Sequence, residues 1–336
     1  MNDALTQYWL FLAETLTIVV LLAGLVIFVL TVSRRGRGRY RLGVKNLNRR
    51  YDVMARALKT HMEPKRVLKQ DARADKRRRK AEERARRTAG PGQRRPRLFV
   101  LDFHGDVRAS QVAGLREEVT ALLTIATPQD EVLVRLENAG GLVHDQGLAA
   151  SQLLRVKQHE IPLTVAVDKV AASGGYMMAC VADRILAAPF AIIGSIGVIA
   201  QLPNFHRLLD RHGVDVEMFK GGEFKRTVTM FGRNTDADRD KLQQEIQDTH
   251  TLFKDFVSAH RPQVDIAQVA TGEYWYGTRA LERGLVDELV TSDDYLIASS
   301  RRADIYEISC APRRSLGRRL ASSVSGLLDS SALTRL

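Results

Sequence analysis

Cysteine is almost absent from this chain, since only Cys180 and Cys310 occur among its 336 residues. Two cysteines are too few for the disulfide framework of a small secreted domain, and they lack the CxxC spacing of a structural zinc site. The sequence also has no HExxH, EF-hand, Walker GxxxxGK or GxGxxG motif. Without these motifs there is no starting point for a metal, nucleotide or dinucleotide site, and we expect no metal and no cofactor.

Basic residues are abundant, but they are concentrated in one segment. The formal net charge of the chain is +12, and residues 34–98 alone contain 25 Lys and Arg against 6 Asp and Glu. The rest of the chain is therefore slightly acidic. The most basic run, DARADKRRRKAEERARR (71–87), contains no aromatic side chain that could stack on a base. The composition therefore argues against nucleic acid as a partner.

A long apolar run, residues 8–33, lies near the N-terminus and exceeds the roughly 20 residues that a helix needs to cross a bilayer. Tyr8 and Trp9 lie where interfacial aromatic residues are common, and RRGRGRYR (34–41) follows at once. The run is too long for a secretory signal peptide and has no basic region before it. We expect a single N-terminal membrane helix, so that residues 1–41 form a membrane anchor with a basic flank.

The chain after the anchor divides into three parts. We interpret residues 42–97 as a basic, partly helical spacer, residues 98–310 as a globular domain and residues 311–336 as a C-terminal tail. The spacer is interpreted as a solvated segment, although its basic side chains could also bind anionic lipid headgroups. A second apolar stretch, residues 185–202, is interrupted by Pro189 and by a Gly-Ser-Ile-Gly turn, and is therefore interpreted as strands of a buried core and not as a second span.

From Leu98 onward, short apolar strands alternate with amphipathic helices. Strands are predicted at 98–103, 131–137 and 162–168, and helices at 111–126, 147–159 and 236–260. Thr235 is predicted to cap the last of these helices, with Asp238 completing a weak capping box. The alternation indicates an α/β fold with a largely parallel sheet.

Ser173 stands where a buried strand passes into a buried helix, in VAASGGYMMA (170–179). Such a turn lies at the carboxyl edge of a parallel sheet, where ligands bind, and Gly174 could offer its N–H to an oxyanion. Judged on this tetrapeptide alone, Ser173 is more simply a helix N-cap. A second turn, Asn-Ala-Gly-Gly, ends another strand and could supply a second N–H from Gly140 or Gly141.

A serine nucleophile needs a base, because its hydroxyl is weakly nucleophilic without one. His144 lies near the second glycine turn, but it is expected on a polar loop. Lys225, in GGEFKRTVTMFG, follows a strand-like VDVEMFK (214–220) and could act as a base if burial populated its neutral amine. Cys180 is expected to pack as a small apolar side chain in the helix.

Taken together and in order, these motifs resemble a known family. ASGGY around Ser173, the preceding Asn-Ala-Gly-Gly turn, GSIGV at 194–198 and the lysine of GGEFKRT are similar to the signal peptide peptidase A family of Ser-Lys peptidases, most closely its SohB branch. The resemblance extends from the apolar N-terminus to about residue 295. The chain departs from the family at the first turn, where a proline that members commonly have is replaced by alanine.

The resemblance implies an α/β fold of repeated ββα units, similar to the ClpP and crotonase group, preceded by the transmembrane helix. It implies Ser173 as nucleophile, Lys225 as general base and Ser195 as the hydroxyl that positions the lysine amine. Gly174 with Gly140 or Gly141 would form the oxyanion hole. Family members assemble into dome-like rings in which subunits share the wall of the active site, so a homo-oligomer is expected.

The sequence is therefore interpreted as a membrane-anchored serine endopeptidase of the bacterial inner (plasma) membrane. Its expected partners are the lipid bilayer and apolar or unfolded peptide substrates, such as signal-peptide remnants. Two alternatives stay open at this point, namely a crotonase-like acyl-CoA enzyme and an inactive scaffold derived from a peptidase. The basic flank favours a cytoplasmic catalytic domain, whereas the family is often described as facing the periplasm, so the side is left open.

Overall fold

The computed structural model describes residues 9, 11–21, 25, 40–88 and 94–312. One compact unit comprises Val44–Ser309, and the described residues before and after it belong to a second unit. Residues 11–21 are helical, and apolar side chains such as Phe11 and Leu16 are exposed. Among the described residues, no helix is both long and apolar enough to cross a membrane. The remainder of the predicted span 8–33, and residues 313–336 of the predicted tail, lie outside the described residues.

The core of the larger unit is a seven-stranded sheet with the order β1-β10-β2-β3-β4-β6-β9. Every pair from β10 to β9 in this order is parallel. The central strands are almost continuous runs of buried apolar residues, which is typical of a parallel sheet covered on both faces. The strands are β1 (Tyr40–Asn46), β2 (Arg97–His104), β3 (Glu131–Glu137), β4 (Leu163–Val167), β6 (Arg184–Ala187), β9 (Glu288–Leu289) and β10 (Asp304–Pro312).

Helices cover both faces of this sheet. Alternate strand residues divide between two apolar clusters, so that Leu101 belongs to one and Val100 to the other. The larger cluster includes residues of α3, α4, α5 and α7, and the smaller includes residues of α1 and α10. The helices are α1 (Leu47–Met62), α2 (Lys65–Thr88), α3 (Val112–Leu123), α4 (Val143–Gln158), α5 (Gly174–Ala179), α6 (His206–Arg211), α7 (Asp236–His260), α8 (Ile266–Val269), α9 (Gly277–Glu282) and α10 (Ser292–Ser299).

A second, three-stranded sheet contains β5 (Val170–Ala172), β7 (Ile192–Gly194) and β8 (Tyr274–Tyr276), in that order across the sheet from β5 to β8. β5 and β7 are parallel, and an isolated bridge joins Asn138, just after β3, to Ala171. The succession of β4, β5 and α5 is therefore a ββα unit, and β3, the Asn138 bridge and α4 repeat the arrangement. This small sheet positions the candidate site, since both Ser173 and Ser195 directly follow its strands.

Most predicted elements are confirmed, including β2, β3, β4 and the long helix α7. The Thr235 hydroxyl accepts a hydrogen bond from the Asp238 N–H, and the Asp238 carboxylate accepts one from the Thr235 N–H, which is the predicted capping box. Helix α4 begins about one turn earlier than predicted, at Val143. The strand-like residues 214–220 are irregular and exposed, and in the part of the chain that the structure describes none of them belongs to a strand.

The segment interpreted as a spacer contributes to the folded unit. Leu47 is buried in the smaller core cluster. The Asn48 amide donates to the carbonyls of Ser300 and Ala303, and its Oδ1 accepts a bond from the Ile305 N–H. Residues 44–88 therefore belong to the same compact unit as the rest of the domain, and these contacts join α1 to β10 and the turn before it.

Candidate active site

Ser173 occupies the turn between β5 and α5 in a strained backbone conformation. Its φ is 52° and its ψ is −120°, a region that residues with a Cβ rarely adopt. Ser173 is the N-cap residue of α5 by position, but its side chain makes no capping hydrogen bond to the helix. Strain of this kind costs of order 1–3 kcal/mol and is concentrated at functional sites. The conformation therefore distinguishes Ser173 from an ordinary helix-start serine.

The surrounding backbone holds this conformation. The Ser173 N–H donates to the Gly194 carbonyl at 2.8 Å, and the Ser173 carbonyl accepts from the Met177 N–H at 3.0 Å. Ala172 is paired with Gly194 in the β5–β7 register. The serine is therefore fixed on one side by the small sheet and on the other by the first turn of α5, while its side chain stays half-buried and accessible.

The Asn-Ala-Gly-Gly turn lies directly against Ser173. Gly140 has a φ of +94°, and a Cβ placed on it would be 2.7 Å from Ser173 Cβ and 2.9 Å from the Gly174 nitrogen. Only a glycine permits this approach. The two glycine turns predicted from the sequence therefore meet at one point, at the edge of the sheet where both strands end.

The two glycines of the Asn-Ala-Gly-Gly turn differ in their hydrogen bonding. The Gly140 N–H donates to Asn138 Oδ1 at 2.9 Å and is therefore already engaged. Within the described residues, no hydrogen bond is recorded for the N–H groups of Gly141 and Gly174. Two unengaged N–H groups beside a serine are what a developing oxyanion needs. Gly140 instead allows the Asn-Ala-Gly-Gly turn to lie close to Ser173.

Two buried amides that the sequence analysis did not single out support this turn. Asn138 and Gln146 are completely buried, and Asn138 Nδ2 donates to Gln146 Oε1 at 2.8 Å. Gln146 Nε2 in turn donates to the Asp106 carbonyl at 3.0 Å. In the sequence, Asn138 could have been identified as a polar residue that directly follows the apolar strand β3. For Gln146 the signal was a polar residue on the buried face of α4.

The glycines after Ser173 make room for these amides. A Cβ on Gly174 would lie 2.4 Å from Gln146 Cγ, and a Cβ on Gly175 would lie 2.0 Å from the Asn138 carbonyl oxygen. α5 can therefore approach β3 and α4 only without side chains at these two positions. These two glycines therefore permit the close packing of the turn.

Ser195 occupies the matching position after β7. Its φ is 50°, another strained value for a residue with a Cβ, and its N–H donates to the Glu273 carbonyl at 2.6 Å. Because Ala172 and Gly194 are register partners, Ser173 and Ser195 follow paired residues on neighbouring strands. The structure thus brings the two serines to the same edge of the small sheet.

Lys225 lies elsewhere in the chain, on the irregular segment 213–235. It is exposed, and the side chain of its neighbour Phe224 is also largely exposed, so Lys225 is not buried as a lysine base would require. No hydrogen bond between Lys225 and Ser173 or Ser195 is recorded among the described residues. A narrow crevice at Ser173 is lined by Gly141, Gly174, Met177, Thr249 and Phe253, and Lys225 is not part of it.

Two other candidate groups are distinct from the site. His144 lies in the first turn of α4 and not on a loop, and its exposed ring is 3.7 Å from the Asp145 carboxylate. Cys180 is fully buried, burial raises the pKa of its thiol to about 12, and Sγ donates to the Met177 carbonyl. It is therefore a packing residue. In the described part of the chain, no three His, Cys, Asp or Glu side chains are grouped as metal ligands.

Comparisons with family models and with known proteins all point to one peptidase family. The model of "Peptidase family S49 N-terminal" matches residues 3–153, and that of "Peptidase family S49" matches residues 155–305. A protein of Haemophilus influenzae named "Probable protease SohB" is 45% identical over 323 residues, covering 94% of this chain and 92% of that protein. A protein of the same name from Buchnera aphidicola subsp. Acyrthosiphon pisum is 53% identical over 237 residues, covering 70% of each.

Solved structures also show some likeness. A mutant of the "1510-N membrane-bound stomatin-specific protease", in complex with a substrate peptide, is 13% identical to this chain. The comparison covers 69% of this chain and 99% of that one, with a TM-score of 0.43.

Proposed function

Since the chain belongs to peptidase family S49 and is a peptidase, we propose that Ser173 is the nucleophile of its serine endopeptidase activity. The main support is the strained Ser173 backbone, with the Gly140 turn packed against it. A half-buried serine in this conformation presents Oγ to a peptide at the sheet edge.

In the proposed reaction, the base takes the proton of the Ser173 hydroxyl as Oγ attacks the scissile carbonyl carbon. The resulting oxyanion accepts hydrogen bonds from the N–H groups of Gly174 and Gly141. The leaving amine departs with a proton from the base, and an acyl-enzyme remains on Ser173. Water then attacks the ester, and the base takes one proton from it. The bond between the acyl group and Ser173 Oγ breaks, the base returns the proton to Oγ, and the carboxylic acid product leaves. Each removed oxyanion donor typically costs about 10²–10³ in kcat.

We assign the base to Lys225 and the positioning of its amine to Ser195. Supporting this, Ser195 already follows the register partner of Ala172, beside Ser173. The assignment requires segment 213–235 to bring the Lys225 amine to Ser173 when substrate is bound. Catalytic contacts are often absent or long in an enzyme without substrate, so its exposed position here is compatible with the role.

The enzyme is further proposed to be anchored in the bacterial inner membrane by residues 8–33, to cleave apolar or unfolded peptides such as signal-peptide remnants, and to form a homo-oligomer. The described helical residues 11–21 support the anchor. Their apolar side chains are exposed, and the hydroxyls of Thr15 and Thr17 donate to the carbonyls of Phe11 and Ala13. Such local bonds satisfy hydroxyl groups where no water is present.

The first test is hydrolysis of a fluorogenic apolar peptide by the detergent-purified full chain. We compare Ser173→Ala and Lys225→Ala with Lys220→Ala, which removes an exposed lysine from the same segment. Ser173→Ala should abolish fluorophosphonate labelling and lower turnover at least ~10³-fold. Lys225→Ala should lower both turnover and the labelling rate, whereas Lys220→Ala should leave both near the level of the unmodified protein.

Other outcomes would reject specific parts of the proposal. Full turnover in Ser173→Ala would show that another residue is the nucleophile. Full turnover in Lys225→Ala, with Ser173 still labelled, would remove Lys225 as the base and leave Ser173 in place. Absence of both turnover and label in the unmodified protein, over a broad peptide panel, would favour the inactive scaffold.

A further inference from the structure

Helices α1 and α2 form a hairpin held by ion pairs. Arg56 Nη2 lies 2.8 Å from Asp75 Oδ2, and Lys59 Nζ lies 2.6 Å from Asp71 Oδ2. Asp71 and Asp75 are one turn apart on α2, so both point toward α1. The acidic side chains of this part of α2 therefore pair with basic side chains of α1.

Burial along α2 follows the same division. Val67, Leu68, Asp71 and Asp75 are half-buried, at the spacing of a single helical face. This face packs toward α1. The side of α2 that points away from α1 therefore consists of residues between these positions.

That outer side is uniformly basic. We define the basic stripe as the exposed residues Arg66, Lys69, Arg73, Lys76, Arg77 and Lys80. They recur at spacings of three, four and seven residues, which places them along one side of a helix. Within the described residues, none of them has a recorded ion pair, and none of the stripe is apolar. At ~1.5 Å of rise per residue the stripe is roughly 21 Å long.

We propose that the basic stripe binds the anionic phospholipid headgroups of a membrane surface. This inference rests on the membrane anchor of the proposed function, because the apolar run 8–33 and RRGRGRYR precede the stripe in the chain and would keep it near a bilayer. A single row of cations matches the flat array of charges that such a surface presents. α2 has no aromatic side chain to stack on a base. A lipid surface therefore fits the stripe better than a nucleic acid does.

The test uses the full chain reconstituted in nanodiscs, either of phosphatidylcholine alone or with phosphatidylglycerol added. Hydrogen–deuterium exchange of α2 is measured in both. We expect α2 to exchange at least tenfold more slowly in the anionic discs, and this difference to disappear at 1 M salt, because the Debye length then falls to about 3 Å.

Variants test whether the slower exchange of α2 depends on the basic stripe. Arg73→Gln/Lys76→Gln/Lys80→Gln should weaken the association roughly a hundredfold, at roughly fivefold per basic residue, and so remove the protection. The matched control, Arg116→Gln/Arg207→Gln/Arg211→Gln, removes the same charge from exposed positions elsewhere. It should retain the protection in anionic discs.

The outcomes separate the stripe from the anchor. Resistance of the reconstituted protein to extraction by 1 M salt from phosphatidylcholine discs tests the anchor alone, because apolar insertion does not depend on charge. Equal α2 exchange in both kinds of disc would overturn the stripe proposal even if the anchor holds. Tight binding of single-stranded RNA that is lost in the stripe variant, without lipid-dependent protection, would also overturn it.

Discussion

The Nδ2 amide of Asn138 donates a hydrogen bond to Gln146 Oε1 across 2.8 Å, and both side chains are completely buried beside the Ser173 turn. The same Asn138 accepts the Gly140 N–H at 2.9 Å, so this amide fixes the turn that brings Gly141 to Ser173. Buried polar groups of this kind are costly when one partner is removed. The pair therefore holds the Asn-Ala-Gly-Gly turn against Ser173.

We predict that Asn138→Ala lowers kcat about ten- to hundredfold with a smaller change in KM, because the Gly141 N–H is no longer held in place. The free energy of unfolding should fall by about 1–3 kcal/mol, since a buried donor and a buried acceptor lose their partner. Steady-state kinetics and denaturant unfolding of the same samples measure the two effects. Gln152→Ala removes another buried amide from α4, away from the turn, and should change stability without the selective loss of kcat.

Gly140→Ala should abolish activity. Its Cβ would lie 2.7 Å from Ser173 Cβ, and its φ of +94° is strained for alanine, so the turn must move away from the serine. Peptide hydrolysis and fluorophosphonate labelling should both be lost. Gly147→Ala is the matched control, because nothing lies within 4 Å of a Cβ there and the position is inside α4. It should stabilise the protein by about 0.5–1 kcal/mol with activity unchanged, and equal loss in the two variants would contradict the packing argument.

Ser173→Gly and Ser173→Ala should differ in stability although both are inactive. Glycine relieves the strain at a φ of 52°, which costs of order 1–3 kcal/mol, but loses about 0.5–1 kcal/mol to the greater freedom of the unfolded chain. The glycine variant is therefore expected to be more stable by about 1 kcal/mol. Thermal and denaturant unfolding of the two variants provide the comparison, and a more stable alanine variant would mean that the Ser173 backbone is not strained.

The Cys180 thiol should be inert in the native protein. Because burial raises its pKa to about 12, the reactive thiolate is scarce at every pH below that value, and reactivity should appear only as pH approaches 12 or the protein unfolds. Iodoacetamide at pH 8, followed by peptide mass mapping, should label Cys180 only in denaturant. Cys180→Ala should keep full peptidase activity, and its inactivation would show a role in the site beyond packing.

Local patterns predicted the regular elements well, for identifiable reasons. The strands at 98–103 and 131–137 are largely apolar, which is typical of a parallel sheet covered on both faces. The helix 236–260 was fixed by its own capping residues, Thr235 and Asp238. The strand-like pattern at 214–220 does not produce a strand. Alternation of apolar and polar residues forms a strand only when a neighbouring strand can pair with it.

The sequence by itself determined the α/β alternation, the family motifs and the two glycine turns, because these depend on neighbours within a few residues. Only the tertiary structure decided the conformation of Ser173, the engagement of the Gly140 N–H by Asn138 and the exposed position of Lys225. The tertiary structure also placed the acidic face of α2 against α1, leaving the basic stripe outside. These features depend on contacts between residues far apart in the chain, and such contacts exist only once the sheet and its helices have packed.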